Sequence, residues 1–367
     1  MHPNDIDIHW MTQALTWAAK AMYITAPNPR VGCVIVGKNN QCISAGHTQP
    51  AGQSHAEIMA IQEAIQKGQD LRDATAYVTL EPCSHHGRTG PCCDALVEAG
   101  IARVVVAGQD PNPLVSGNGI ARLRAAGVQV DTGVLQNQAE SINPGFFKRM
   151  RHGLPFMRLK IAASLDGQTA LTNGISQWIT SPQARQDGHA WRARACAVLT
   201  GIGTVLEDDP QLNVREVATT RQPTLVVVDS RLDTPSTAKL WQTPRQVWIY
   251  CAVDHPERRA ALEAKGADVI CLPNAAGKVD LMAMQQDLGN RGINEVHMEA
   301  GHKLNGSLLA TGLVDELLIY LAPMLMGQGR GMFNIGPFDK LSQALSLEIQ
   351  NISPIGPDLR LLARIKS

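Results

Sequence analysis

The residues whose types and spacing could do chemistry begin with His55, Glu57, Cys83 and Cys92. His55-Ala56-Glu57 opens a predicted helix, Glu81-Pro82-Cys83 directly follows a predicted strand, and Cys92 begins the next helix. Zinc takes neutral imidazole and thiolate ligands in a tetrahedral arrangement, and a catalytic site keeps one position for water. One histidine and two cysteines make three protein ligands and leave that position open. An ion so held lowers the pKa of its water to near neutrality. Pro91 is favoured at the first position of a helix. That puts Cys92 in the first turn, where the helix dipole favours a thiolate. Each part also has a plainer reading. Ser54 to Glu57 is a capping box that needs no metal, and Cys83 and Cys92 would serve as core thiols. Cys93 reads as a buried thiol. The conjunction of the parts points to a metal centre, and a structural zinc would fill its fourth position with protein.

In zinc deaminases of the His-x-Glu and Pro-Cys type, a glutamate that does not bind the metal shuttles protons between water and the departing amine. Glu57 sits at that position. The usual Cys-x-x-Cys is absent, because the next cysteine after Cys83 is Cys92. A second set of segments lies later in the chain. Gly201-Ile202-Gly203-Thr204 follows a predicted strand, and its glycines allow close approach of a ligand, but the third glycine of a dinucleotide fingerprint is missing. Gly301-His302-Lys303-Leu304-Asn305-Gly306-Ser307 also follows a strand and opens a helix, whose N-terminus suits an anion. Both segments also read as ordinary turns.

The elements that must position these residues alternate. Helices are predicted over 6–24, 56–66, 93–99 and 119–126, and strands over 31–36, 41–46, 76–80, 103–107 and 128–132. The stretch Lys148 to Gly153 is basic and polar and reads as a linker after a helix. Beyond it, strands are predicted over 156–162, 197–200, 224–229, 246–249, 295–299 and 317–322, and helices over 182–194, 257–264, 279–288 and 303–310. Such alternation predicts an α/β chain with largely parallel sheets. The expected domains are residues 1–150 and 151–367.

Composition narrows the function. The chain has 367 residues, 44% of them hydrophobic, and 33 Lys+Arg balance 33 Asp+Glu. Disorder needs lower hydrophobicity or more net charge. The balance also argues against a polyanion-binding protein held by bulk charge, since nucleic-acid domains usually show a basic excess or stripe, although a local basic patch is left open. Neither a nucleic-acid partner nor a membrane partner is expected. Residues 1–10 lack the basic region of a signal peptide. The longest apolar stretch, around Leu317 to Met326, is about half a membrane span and contains Pro323. The eight cysteines are then read as thiols rather than a disulfide framework, and the chain as cytoplasmic. A homo-oligomer is expected, although no segment specifies its interface.

The loop Pro82-Cys83-Ser84-His85-His86-Gly87-Arg88-Thr89-Gly90-Pro91-Cys92 resembles the deaminase domain of the bifunctional riboflavin-biosynthesis deaminase–reductases. Pro27-Asn28-Pro29-Arg30-Val31-Gly32 and Gln109-Asp110-Pro111-Asn112-Pro113 agree with it. So do Lys160 to Gly167, Ser176 to Thr180, Asp208-Asp209-Pro210 and Glu299-Ala300-Gly301, in the same order over nearly the whole chain. Gly90 departs from the proline more usual in the family. The resemblance implies a cytidine-deaminase-like three-layer domain followed by a dihydrofolate-reductase-like α/β domain. It implies zinc on His55, Cys83 and Cys92, proton transfer by Glu57, and a phosphorylated aminopyrimidine substrate met by Asn28, His85, Arg88, Asp110 and Asn112. In the second domain it implies NADPH against Ala162, Trp178, Thr204, Asp208, Ser230 and the segment Gly301, His302, Lys303, Leu304, Asn305, Gly306 and Ser307. Ser176, Arg192, Leu212, Arg215 and Glu299 match substrate positions, and Lys160 and Asp166 lie near this site in the family.

Overall fold

Gly153 closes a helix in the left-handed conformation (φ +72°), and the chain divides there into two compact units, Met1–Gly153 and Leu154–Ser367. The structure, a computed structural model, describes residues 3–84, 90–113 and 115–366. Among the described residues no helix is long and apolar enough to cross a membrane.

The first unit runs α1 (Pro3–Lys20), β1 (Gly32–Val36), β2 (Cys42–His47), α2 (Ala56–Gln66), β3 (Thr75–Val78), α3 (Cys92–Glu98), β4 (Arg103–Val106), α4 (Asn118–Ala125), β5 (Gln129–Thr132), α5 (Gln136–Ile142) and α6 (Pro144–His152). The strands lie in the order β2-β1-β3-β4-β5. Side chains alternate across a strand, and the core follows that alternation. Cys33, Ile35, Ala76, Val78, Val104 and Val106 face Ala60 of α2, Leu96 of α3 and Leu123 of α4. Val34, Val36, Tyr77 and Val105 face Met11 and Ala14 of α1 and Ala139 of α5. The result is three layers, helices on both faces of one sheet. A Cβ on Gly32 would stand 1.9 Å from the Ala14 carbonyl oxygen, so only glycine lets α1 lie this close to β1.

Two expectations need correction here. The sheet is mixed: β3, β4 and β5 are parallel, but β1 is antiparallel to both β2 and β3. The turn Gly37 to Asn40 is too short for the crossover that parallel neighbours require. The stretch Lys148 to His152 is not a linker but the last part of α6, where Phe147 is buried in the core and the basic residues remain outside it.

The second unit contains β6 (Phe156–Ser164), β7 (Gln168–Leu171), α7 (Pro182–Arg194), β8 (Ala197–Gly201), α8 (Ile202–Asp208), β9 (Thr224–Val228), β10 (Val247–Cys251), α9 (Pro256–Glu263), β11 (Ala267–Cys271), α10 (Leu281–Asn290), β12 (Glu295–Met298), α11 (His302–Ala310), β13 (Glu316–Ala322), β14 (Gly329–Gly331), β15 (Leu347–Ile355) and β16 (Asp358–Ile365). A nine-stranded sheet takes the order β11-β10-β9-β8-β12-β6-β13-β16-β15, and β7 pairs separately with β14. From β11 to β13 all pairings are parallel, whereas β16 is antiparallel to β13 and β15. The strands β8, β10 and β12 are buried throughout; β8 and β10 accordingly read as apolar runs, whereas β12 buries Glu295 and His297 among its four residues. On β10, Val247 and Ile249 join the cluster that includes Leu262 of α9, while the Tyr250 hydroxyl donates to Asp287 of α10 at 2.6 Å.

Candidate active sites

In the first unit, three separate elements deliver three donor atoms to one point. His55 is the residue preceding α2, Cys83 lies in the segment after β3, and Cys92 is the first residue of α3. The ligand atoms of His55, Cys83 and Cys92 all lie within 4.8 Å of one another. His55 Nδ1 is 3.6 Å from Cys83 Sγ and 3.3 Å from Cys92 Sγ. Tetrahedral zinc with ordinary bond lengths places such N and S atoms roughly 3.5 Å apart, so the donor set fits zinc. The capping-box alternative does not describe this helix: residue 55, not Ser54, is the cap, and it makes no side-chain cap hydrogen bond. Pro91 precedes the helix as its cap instead of occupying the first helical position, and Cys92 still stands in the first turn. Its N–H donates to Cys83 Sγ at 3.3 Å. Cys93 is buried in the core cluster beside Leu96.

Glu57 sits in the first turn of α2 and is buried. Burial, reinforced by the nearby Cys83 sulfur, pushes its carboxyl up to about 7, against the opposing pull of His55. The hydrogen bond with Cys92 and the proximity of His55 lower the Cys83 thiol, while the same sulfur contact and burial raise the Cys92 thiol. A hydrogen bond with Cys83 raises the His55 imidazole.

Asp110 and Asn112 share one turn, in which the Asn112 N–H donates to Asp110 Oδ1 at 2.8 Å. Asn28 lies between α1 and β1, with its N–H on the Thr25 carbonyl at 2.8 Å. His85 and Arg88 lie outside the described residues. Sequence reasoning missed Glu81, whose carboxylate accepts the backbone N–H of Asp110 at 3.1 Å. An acid directly after an apolar strand was the available signal.

In the second unit a cleft of about 1130 Å³ opens at the carboxyl ends of β6, β8, β9 and β12, where parallel sheets ordinarily bind ligands. Ala162, Trp178, Thr204, Asp208, Gly301, His302, Lys303, Leu304, Asn305 and Ser307 line it, as do Ser176, Arg192, Leu212, Arg215, Glu299 and Lys160. Three of the expected residues are not part of that lining. Ser230 uses its carbonyl to receive the N–H groups of Ala252 and Val253. Gly306 packs on Asn334, whose oxygen would stand 2.0 Å from an added Cβ. The Asp166 carboxylate receives the N–H groups of Met326 and Gly327, at 3.0 and 2.7 Å, and pins the loop after β13.

Glu299 is the electrostatic centre of the cleft. Arg192 donates to it with Nε and Nη2, the latter at 2.9 Å, and Lys160 Nζ is 3.6 Å away. Burial opposes the charge, but Arg192 and Lys160 hold Glu299 well below the usual carboxylate range. Burial lowers Lys160, helped by Arg192 and resisted by Glu299. Burial beside Glu207 raises the Asp208 carboxyl, to which Ser176 is hydrogen-bonded. Asn305 is buried, and its Oδ1 has no hydrogen-bond partner among the described residues. A large cleft with cations, a helix N-terminus and a spare buried acceptor fits a phosphorylated dinucleotide.

Comparison with known proteins agrees with both sites. Residues 4–108 match the family model described as the cytidine and deoxycytidylate deaminase zinc-binding region, and residues 155–361 match the RibD C-terminal domain. The chain is 44% identical to riboflavin biosynthesis protein RibD of Escherichia coli over 97% of its own length and 98% of that protein. It is 43% identical to RibD of Haemophilus influenzae, covering 97% of this chain and 96% of the other. Among solved structures, Acinetobacter baumannii RibD matches with a TM-score of 0.90 at 42% identity, covering 99% of this chain and 100% of that one. A diaminohydroxyphosphoribosylaminopyrimidine deaminase/5-amino-6-(5-phosphoribosylamino)uracil reductase from Thermotoga maritima matches with a TM-score of 0.88 at 31% identity, over 100% of both chains. With a zinc-type donor set in one unit and a dinucleotide-sized cleft in the other, matched to relatives along nearly its full length, the chain belongs to the RibD family of bifunctional deaminase–reductases of riboflavin biosynthesis.

Proposed function

We propose that the first unit hydrolytically deaminates 2,5-diamino-6-(5-phosphoribosylamino)pyrimidin-4(3H)-one, and that the second reduces the ribosyl group of the product to a ribityl chain with NADPH. The observation that carries the reading is the convergence of His55, Cys83 and Cys92 beside the buried acid Glu57. His55, Cys83 and Cys92 would hold zinc, which supplies a Lewis acid able to make water nucleophilic near neutral pH. Glu57 takes a proton from the attacking water and returns one to the departing amine. Asn28, His85, Arg88, Asp110 and Asn112 are assigned to hold the aminopyrimidine phosphate.

In the second unit, NADPH would supply the reducing equivalent. Ala162, Trp178, Thr204, Asp208, Ser230 and the segment Gly301 to Ser307 are assigned to the cofactor. Arg192 and Arg215 suit the substrate phosphate, and Ser176, Leu212 and Glu299 line the same cleft. Lys160 is close enough to Glu299 to set the charge there, and Asp166 shapes the adjoining loop.

The decisive experiment gives the purified chain the aminopyrimidine ribosyl phosphate with and without NADPH. Ammonia is expected in both cases and the ribityl product only with NADPH. Ammonia from a cytosine- or adenine-containing oligonucleotide, with none from the aminopyrimidine, would overturn the assignment.

The eight unpaired cysteines support a reducing, cytoplasmic setting. A homo-oligomer is supported by the edge strand β15, which exposes Leu347, Ile349 and Ile352. Sedimentation as a monomer at micromolar concentration would rule that assembly out.

A further inference from the structure

Glu81 is 4% exposed, and its carboxylate is given over to backbone. Oε2 accepts the N–H groups of Asp110 and Gly117 at 3.1 and 3.0 Å, and Oε1 accepts those of Gly119 and Ile120 at 2.9 and 3.2 Å. The Glu81 N–H in turn donates to the Gly108 carbonyl at 2.9 Å. One residue thus gathers both ends of the connection from β4 to α4. The fit extends to the next residue: a Cβ on Gly119 would stand 2.1 Å from the Pro82 carbonyl oxygen. The start of α4 therefore rests directly on the backbone that leads to Cys83.

We propose that Glu81 is a positioning residue for deamination: it holds the turn of Asp110 and Asn112 in register with the segment that bears Cys83. The proposal rests on the reading in which Asp110 and Asn112 meet the aminopyrimidine substrate. Without this four-way anchor the turn would lose the carboxylate that holds Asp110, Gly117, Gly119 and Ile120 to the end of the strand segment. The turn meets the substrate and not the attacking water, so its displacement weakens ground-state and transition-state binding alike and raises KM with little change in kcat. The anchor needs a carboxylate specifically. Two oxygens offer about four lone pairs, and here two N–H donors meet each oxygen. An amide in the same place would turn an NH₂ group toward two N–H donors whichever way it is flipped.

The test uses the full zinc-loaded chain carrying Glu81→Gln or Glu81→Asp. For Glu81→Gln, KM for the aminopyrimidine is expected to rise about tenfold or more, with kcat within about threefold, while zinc content and NADPH oxidation on the deaminated compound stay at the parent level. Glu81→Asp keeps both acceptor oxygens and should recover part of the KM. An unchanged KM in Glu81→Gln, or loss of zinc together with kcat, would overturn the proposal. Amide hydrogen exchange on the unsubstituted chain gives a second readout that needs no variant. The N–H groups of Asp110, Gly117, Gly119 and Ile120 should exchange slowly, and exchange at the rate of open loops would also overturn it. A parent chain that releases no ammonia but retains this protection would instead refute the underlying substrate assignment.

Discussion

Arg192 meets Glu299 with two N–H groups on two carboxylate oxygens, and this pair forms part of the wall of the reductase cleft. The same carboxylate lies 3.6 Å from Lys160 Nζ and 3.3 Å from His297 Nε2, so one buried acid serves three basic groups. Removing the charge leaves a guanidinium and an ammonium, both partly open to the cleft, without their counter-ion. Glu299→Gln is therefore expected to cost about 1–3 kcal/mol of stability in the second unit, read as a lower denaturant midpoint. NADPH oxidation should be lost while ammonia release continues. A variant with parental stability and full NADPH oxidation would contradict both roles.

Glu57 offers the matching dissection of the first unit. Glu57→Gln keeps the shape and removes the proton acceptor. Ammonia release should fall by about a hundredfold or more, with zinc content and NADPH oxidation unchanged. Retained ammonia release in a zinc-replete variant would assign proton transfer to another group.

Removal of metal should separate the same two activities. The donors of His55, Cys83 and Cys92 belong wholly to the first unit. Dialysis against a chelator is expected to stop ammonia release and leave NADPH oxidation on the deaminated compound intact, and added zinc should restore the first activity. Loss of both activities on chelation would show that the second also depends on the ion.

Much of this was legible in the sequence because it depends on residue type at short range. Histidine and cysteine at element starts identify a donor set before their distances are known. The strands β8, β9 and β10 are short apolar runs because helices or the rest of the core cover both faces. The hairpin β15–β16 was not read: Leu347-Glu348-Ile349-Gln350 alternates, but the bulge between Ile349 and Asn351 shifts the period, and β15 is exposed along most of its length, so burial does not mark it as core. The strand order was equally hidden. β12 enters between β8 and β6 although it follows them by about a hundred residues or more, and no local pattern encodes that pairing. Glu81 was missed for a related reason. Its partners are backbone groups, and any amino acid but proline supplies an N–H.

Gly306 belongs to the segment that the resemblance assigned to NADPH, yet its Cα packs on Asn334. A Cβ there would lie 2.0 Å from the Asn334 oxygen and 2.6 Å from its carbonyl carbon, both of them backbone atoms that a rotamer change cannot move. Gly306→Ala is thus expected to destabilise the second unit by about 1–3 kcal/mol through overpacking, read by thermal denaturation. NADPH should bind more weakly because α11 must shift. Parental stability would mean that the loop carrying Asn334 yields at little cost.

His189 contributes to the acid sensitivity of the second unit. It is 4% exposed on α7. Burial, with the nearby Arg192 and Arg215 charges, lowers its pKa to about 4. In the unfolded chain a histidine titrates near 6.5. Between those values the unfolded chain takes up a proton that the folded state refuses. Stability from this group is then complete above about pH 6.5 and is lost as pH falls toward 4, with a ceiling of about 3 kcal/mol. His297 is lowered by burial as well and acts with the same sign. His189→Gln should leave the denaturation midpoint at pH 8 with at most a pH-independent offset, and should flatten, without abolishing, its decline between pH 6.5 and 4. Parallel declines in parent and variant over that window would exclude His189 as a group that titrates there.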